Sequence, residues 1–360
     1  MSNRVFYIDE DGSVERENHA GCKAREDVSY VLDKMGFTRL PLVFSQDARE
    51  NGSALIKVKS HFIARSSLQS ILSCAQAGDA VVVQFPLNNH SIFQKNVFKS
   101  LVDRGVSLVL IIHDLDSIRY EFESSISVLG KLRMNIEELS LLKVATKIIV
   151  HNERMMEKLS KDHSIDKSKL IPLRIFDYLL PEDTRYSNTP KADSSIVIAG
   201  NMQKEKAGYV YKLPESVPFN IYGPNYDAQN KSNIAYMGQF SPEVLPSQLQ
   251  GSFGLVWDGC SIDTCAGPYG EYLRLNNPHK TSLYLAAGLP VIIWDEAALA
   301  PFIEKEQVGI TVSSLDSLPQ ALETLSDSDY AQIKNNAVAL SKKLRTGHYS
   351  KRAIQSALCI

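Results

Sequence analysis

The sequence predicts an α/β protein made of two doubly wound, Rossmann-like domains, and three observations carry that prediction. The chain has 360 residues, which at roughly 150 residues per domain favours two domains, each able to close its own core. Short β-branched runs alternate with segments of helical period along its whole length, the pattern of parallel sheets covered by helices. One aperiodic stretch, Asp177 to Ser195, with Pro181, Pro190 and several charges, divides the alternation into two series and reads as the interdomain linker.

In the first series, strands are expected at Arg4 to Asp9, Leu40 to Ser45, Ala80 to Phe85, Ser107 to His113 and Lys147 to His151. Between them, Val28, Val31, Leu32 and Met35 fall at i, i+3, i+4 and i+7, as do Leu68, Ile71, Leu72 and Ala75; each set gives a helix one core-facing stripe. The second series places strands at Ser195 to Ala199, Phe219 to Tyr222, Ile234 to Met237, Phe253 to Trp257, Pro290 to Trp294 and Ile310 to Val312, with helices at Thr281 to Ala287, Leu315 to Leu325 and Tyr330 to Leu344. The expected domains are therefore 1–176 and 177–345, with residues 346–360 a C-terminal helix returning to the first. Two such domains facing one another would enclose a cleft lined by the carboxyl ends of both sheets, where doubly wound folds bind ligands.

Composition excludes several classes. Apolar residues make up 44% and charged residues 22%, far from disordered, collagenous or membrane-embedded chains. Lys and Arg number 39 against 41 Asp and Glu, a net charge of −2, so no whole-molecule field draws the chain onto nucleic acid. The five cysteines (Cys22, Cys74, Cys260, Cys265, Cys359) are odd in number and contain no CxxC pair, which reads as free thiols in a reducing compartment, by default the cytoplasm. Met1 to Glu10 lacks a basic region followed by an apolar one, and the longest apolar run, Leu108 to Ile112, is far below the ~18 residues of a membrane span. An amphipathic face leaves room for a peripheral place on the inner membrane surface. Of the classes that use two such domains, glycosyltransferases remain: a periplasmic binding protein should carry a signal peptide, and a dinucleotide dehydrogenase a GxGxxG after a strand.

The segment Asn276 to Ile292, NNPHKTSLYLAAGLPVI, carries the most chemistry. A helix starting near Pro278 presents free N–H groups and partial positive charge, Lys280 adds a full charge in the first turn, and Gly288 suits the helix stop. Together they form a diphosphate site, with Asn276 and Ser282 beside it; as a bare pattern the same residues also make a helix start with a solvated lysine. Gly200-Asn201 at the end of IVIAGNM lets backbone approach a sugar or phosphate closely, or makes a tight turn. Tyr222 and Gly223, in IYGPNY, end another strand, and Tyr222 is the expected contact for the base. FGLVWDG places Trp257 and Asp258 at a strand end, followed by Tyr269, Glu271 and Tyr272. Asp258 and Tyr272 suit the donor sugar, Glu271 is placed to face it, and Trp257 reads as core or ligand contact.

In the first half, the buried run Val109 to Ile112 ends abruptly in His113-Asp114. A charged pair there suits a ligand-binding edge better than a core, and glycosyl transfer needs a base at the acceptor hydroxyl. Asp114 is the expected base, with His113 orienting it or touching the donor; a strand cap followed by a helix N-cap is the alternative. Glu153 and Asp9 are the next candidates. Asp114-x-Asp116 also matches a metal-binding DxD, as do Asp9-x-Asp11 and Asp327-x-Asp329, too common a pattern to carry a metal site. Gly21 and Lys23 before the first helix form a second anion loop, for the acceptor, or a plain helix start.

KTSLYLAAGLPVI resembles the donor-binding segment of metal-independent GT-B glycosyltransferases. AGCKAREDV, LIIHDLDSIR, IIVHNERM, IFDYL, IVIAGNM, FGLVWDG and YGEYLRLNNPHKTSLYLAAGLPVIIWD narrow the resemblance, over nearly the whole chain, to the bacterial family containing the O-antigen galactofuranosyltransferase and the glucosyltransferases of streptococcal serine-rich adhesins. The resemblance implies a GT-B fold and transfer of a hexose, galactofuranose or glucose, from a UDP-sugar to a sugar acceptor in surface glycan or glycoprotein assembly, with inversion. It implies no cofactor beyond the UDP-sugar donor and no metal. Leu283 stands where the wider superfamily has a ribose-binding Glu. The expected partners are the UDP-sugar and a sugar acceptor on a lipid carrier or glycoprotein, with no nucleic acid and with room for a homo-oligomer. The same architecture would also serve a nucleotide-sugar epimerase or a non-catalytic glycan-binding subunit.

Overall fold

The computed structural model describes residues 4–11, 20–43, 54–87, 93–121, 126–184, 195–227 and 231–360. It forms two compact units. Among the described residues, those within Met1–Arg16, Val28–Leu173 and Lys351–Ile360 make up the first, and those within Glu17–Asp27 and Arg174–Ser350 the second. This division differs from the expected one in counting the described residues 20–27 with the second unit and in falling after Leu173.

The first unit holds β1 (Val5–Asp11), β2 (Thr38–Val43), β3 (Ala80–Phe85), β4 (Ser107–Ile112), β5 (Lys147–Val150) and β6 (Leu170–Pro172). They form one parallel sheet in the order β2-β1-β3-β4-β5-β6. The sheet reverses its direction of growth between β1 and β3, so the carboxyl edge there is a topological switch point. β4 is nearly all Leu, Val and Ile and is buried along Leu108–Ile112; each such side chain removed from water contributes about 1.5–3 kcal/mol. β6 was not expected. Three residues ending in proline carry too little period to be read, and only the pairing of Ile148 with Leu170 and Ile149 with Ile171 defines it.

The second unit repeats the plan with β7 (Ile196–Ala199), β8 (Phe219–Tyr222), β9 (Ile234–Gly238), β10 (Gly254–Val256), β11 (Val291–Trp294) and β12 (Gly309–Val312), in the order β12-β11-β10-β7-β8-β9. All five pairings are parallel, and the switch point lies between β7 and β10. The helix His279–Ala286 packs on β10 through Tyr284, whose ring occupies the space a Cβ would fill at Gly254. The Tyr284 hydroxyl accepts from Ala199 N at 2.7 Å, tying that helix to the end of β7.

The expected linker is packed at its start. Asp177, Tyr178 and Leu180 are buried: Tyr178 N donates to Leu344 O, and its hydroxyl to Pro242 O. The Asp177 carboxylate accepts from Tyr349 N and Ser350 N in the first turn of the helix His348–Leu358. Burial pushes its pKa up to about 7. The rest of the expected linker, 185–194, lies outside the described residues, as does Ser45. Among the described residues, no helix is long and apolar enough to cross a membrane.

Candidate functional site

In the second unit, the expected donor residues gather at the carboxyl ends of β7, β8 and β10. Lys280 lies in the first turn of the helix His279–Ala286. Its Nζ donates to Trp257 O at 3.0 Å and pairs with Asp258 Oδ1 at 2.9 Å. Lysine and carboxylate, expected to act separately, therefore form one mostly buried ion pair at the end of β10, beside the switch point. An ammonium with three donors keeps a further hydrogen to offer at a helix start that already favours an anion. Thr281 Oγ1 and Asn276 Oδ1, flanking Lys280, are buried without a hydrogen-bond partner. The neighbouring His279 is held neutral: burial pushes its pKa down to about 4, its Nε2 meets Asp177 O at 3.3 Å, and it stacks on Tyr178 at 5.0 Å.

Across the switch point, Gly200 has φ +145° with open space where a side chain would stand. Gly223 has φ +129°, and a Cβ there would fall 1.9 Å from Gly200 O; only glycine lets the two loops approach. Asn201 Oδ1 accepts from Gln203 N and from Asn225 Nδ2 at 2.9 Å.

Other expected donor contacts, Tyr222, Ser282, Tyr272 and Trp257, hold buried structural positions. Tyr222 is a core side chain, because the strand's alternation turns its ring inward: its hydroxyl donates to Gln248 O and accepts from Gln250 N, both at 3.0 Å. Ser282 is buried with its hydroxyl on Phe176 O at 2.7 Å, and Tyr272 is buried. Trp257 is fully buried with Nε1 on Ser261 O, as the core alternative has it. Glu271 pairs with Arg274, which also meets Glu296 and lies over the Trp294 ring.

The expected acceptor loop is corrected in the same way. Gly21 and Lys23 belong to the helix Ala20–Lys34, and the Lys23 ammonium is buried, paired with Asp27 and donating to Leu179 O at 2.9 Å. A lysine so enclosed needs those partners to offset its desolvation. Burial raises the pKa of Asp27 to about 6, against the pull of Lys23.

In the first unit, His113 and Asp114 follow β4 directly, one strand from the switch point. His113 N extends the sheet by donating to Phe85 O at 2.8 Å, and its Nε2 lies 2.8 Å from Gln84 Oε1. Asp114 is half-exposed and pairs with Arg119, which also holds Asp116 at 3.1 Å. One guanidinium thus contacts both carboxylates of the DxD. The short helix Asp116–Arg119 is seated by Glu138, which accepts from Asp116 N, Ser117 N and Ser117 Oγ; burial lifts Glu138 to about 7. His151, at the end of β5, meets Ile112 O at 3.2 Å and is pushed by burial to about 4. Asp9 accepts from Ser29 Oγ and pairs with Arg39, and Glu153 is an exposed residue of a helix first turn. Sequence reasoning missed Gln84 and Ser29: a single polar residue in a strand and another on a helix belong to no spaced motif.

Comparison with known proteins adds the following. Residues 13–175 match the glucosyltransferase 3-like N-terminal domain model, and residues 196–357 the glucosyltransferase 3-like C-terminal domain model. The chain is 34% identical over 346 residues to the beta-1,6-galactofuranosyltransferase WbbI of Escherichia coli K12, covering 94% of each. It is 25% identical over 336 residues to glucosyltransferase 3 of Streptococcus gordonii, covering 93% of each. Among solved structures, a sucrose-phosphate synthase from Thermosynechococcus elongatus superposes with a TM-score of 0.63 at 13% identity, over 98% of both chains.

Proposed function

Since the chain belongs to the glucosyltransferase 3-like family and is a glycosyltransferase of the GT-B fold, we propose that it moves a hexose, galactofuranose or glucose, from a UDP-sugar to a sugar acceptor on a lipid carrier or glycoprotein, with inversion and without a metal ion. One observation carries this reading: Lys280, in a helix first turn, is held by Asp258 and the Trp257 carbonyl at the end of β10, beside the glycine pair Gly200 and Gly223. That combination of fixed cation, helix start and close-approach backbone suits a diphosphate.

In the proposed reaction the acceptor hydroxyl oxygen bonds to the anomeric carbon while the bond from that carbon to the diphosphate oxygen breaks. UDP leaves with the electron pair, and the acceptor's proton passes to the base at the end of β4, where His113 and Asp114 lie. Lys280 and the helix start receive charge that grows as the diphosphate departs, which is where fixed dipoles accelerate a reaction. A single displacement needs no protein nucleophile.

The test is to incubate the protein with UDP-galactofuranose, UDP-glucose and other UDP-sugars and to follow UDP release with and without N-acetylglucosamine or lipid-linked acceptors. One donor is expected to yield UDP only when an acceptor is present, with the hexose recovered on the acceptor. Interconversion of free UDP-sugars, or UDP binding with no turnover on any acceptor, would overturn the reading.

A further inference from the structure

Gln84 is the one polar residue of β3, AVVVQF, a strand buried along its whole length. An amide in such a place costs about 1–3 kcal/mol unless its hydrogen bonds are made, and here they form a directed chain. Asp9 Oδ1, on β1, lies 3.1 Å from Ser29 Oγ on the helix Ala20–Lys34. Ser29 Oγ lies 2.9 Å from Gln84 Nε2, and Gln84 Oε1 lies 2.8 Å from His113 Nε2.

The chemistry at one end dictates the chemistry at the other. An ionised carboxylate only accepts, so the Ser29 hydroxyl must donate to Asp9. Its lone pairs then receive the Gln84 amide N–H, which turns Oε1 toward His113. An amide oxygen also only accepts, so His113 must carry a proton on Nε2, which makes Nδ1 the ring nitrogen that can accept one. Ser29 and Gln84 are each only 6% exposed, which shields the chain from re-routing by water. Arg39 Nη2, 3.1 Å from Asp9 Oδ2, holds the other carboxylate oxygen.

We propose that Asp9, Ser29 and Gln84 are positioning residues that lock His113 as the Nε2–H tautomer, so that Nδ1 takes the acceptor's proton. In the catalytic triads a buried carboxylate fixes the tautomer of the imidazole directly; here the instruction crosses a hydroxyl and an amide, joining β1, β3 and β4 at the switch point. This assignment rests on the reading that the proton is taken at the end of β4, and it chooses His113 over Asp114.

Asp9→Asn provides the decisive test. Arg39 requires an oxygen on its side, so the new amide nitrogen faces Ser29 and donates to it. The whole chain then reverses: Ser29 donates to Gln84, the Gln84 amide turns over, and its N–H meets His113 Nε2. In protein labelled with 15N-histidine, long-range proton–nitrogen correlation is expected to show Nε2–H at His113 in the wild type and a shift to Nδ1–H in Asp9→Asn. Ser29→Ala, which cuts the chain with little change of volume, is expected to give a mixture of tautomers. With the donor and acceptor that turn over in the UDP-sugar panel, both variants should lose roughly 10- to 100-fold in kcat with donor KM unchanged, less than the 10²–10⁴ of a whole general base.

Nδ1–H in the wild type, or wild-type tautomer and rate in both variants, would overturn the chain. His113→Ala separates this from the underlying reading. If it is inactive while Ser29→Ala keeps wild-type rate and tautomer, the reading stands and the chain falls. If it turns over at the wild-type rate, the base lies elsewhere and the assignment falls with the reading.

Discussion

Lys280 and Asp258 show how one residue pair joins a proposed binding group to a stability cost. The ammonium is mostly buried and bonded to the carboxylate and to a backbone carbonyl, so at the proposed site it would meet a diphosphate with little freedom left to lose. Lys280→Ala is expected to weaken UDP binding by about 1.5–3 kcal/mol, the worth of a charged hydrogen bond; unchanged affinity in calorimetry would remove Lys280 from the site. The same variant leaves the Asp258 charge buried and unpaired, a loss of about 3–5 kcal/mol in stability, so Lys280→Ala/Asp258→Ala should melt higher than Lys280→Ala alone. Tyr222 makes the opposite point. With its hydroxyl engaged by Gln248 and Gln250, Tyr222→Phe should cost roughly 1–2 kcal/mol of stability and leave UDP affinity intact; a tenfold loss of UDP affinity in a folded variant would restore it as a base contact.

Among the elements, each unit carries buried titratable groups whose effects on folding oppose one another: His151 and Glu138 in the first, His279 and Asp177 in the second. His151 and His279 are depressed by burial to about 4, so the unfolded chain takes up their protons first, and both favour unfolding as the pH falls from 6.5 toward 4. Glu138 and Asp177 are raised by burial to about 7. In the folded protein they take up protons before the unfolded chain does, so they favour folding as the pH falls from about 7 toward 4. For Glu138 the full swing is roughly 3 kcal/mol. Glu138→Gln deletes that gain, so its stability relative to wild type should worsen between pH 7.5 and pH 5. Paired urea titrations at the two pH values decide this, and a difference independent of pH would show that Glu138 does not titrate in the folded protein as described. The short helix Asp116–Arg119 would be exposed to the same change, since Glu138 holds its first N–H groups.

For the molecule as a whole, turnover and Tm are expected to withstand EDTA, because the proposed diphosphate site uses Lys280 and a helix start, and Arg119 holds both Asp114 and Asp116. Activity abolished by EDTA and restored by manganese would contradict that design. The alternation of strands and helices was legible in the sequence because its cause is local. A strand buried on both faces, such as Leu108–Ile112, must be apolar throughout, and a helix on a sheet must repeat its stripe at Val28, Val31, Leu32 and Met35. The positions of the candidate residues were legible too: Gly200 and His113-Asp114 interrupt an apolar run at a strand end, and Lys280 stands at a helix start. The face of each side chain and its partners were not. Tyr222 and Ser282 turn inward by the parity of strand and helix, and Lys23 is drawn into a buried pair completed by the Leu179 carbonyl. Local residue patterns were enough to define two Rossmann-like sheets and the strand ends at which glycine and polar residues interrupt the apolar runs. That Lys280 meets Asp258, and that Asp9, Ser29, Gln84 and His113 form one chain, depends on long-range contacts. Those residues are far apart along the polypeptide, and strand order, which local periodicity does not encode, brings them within hydrogen-bond reach.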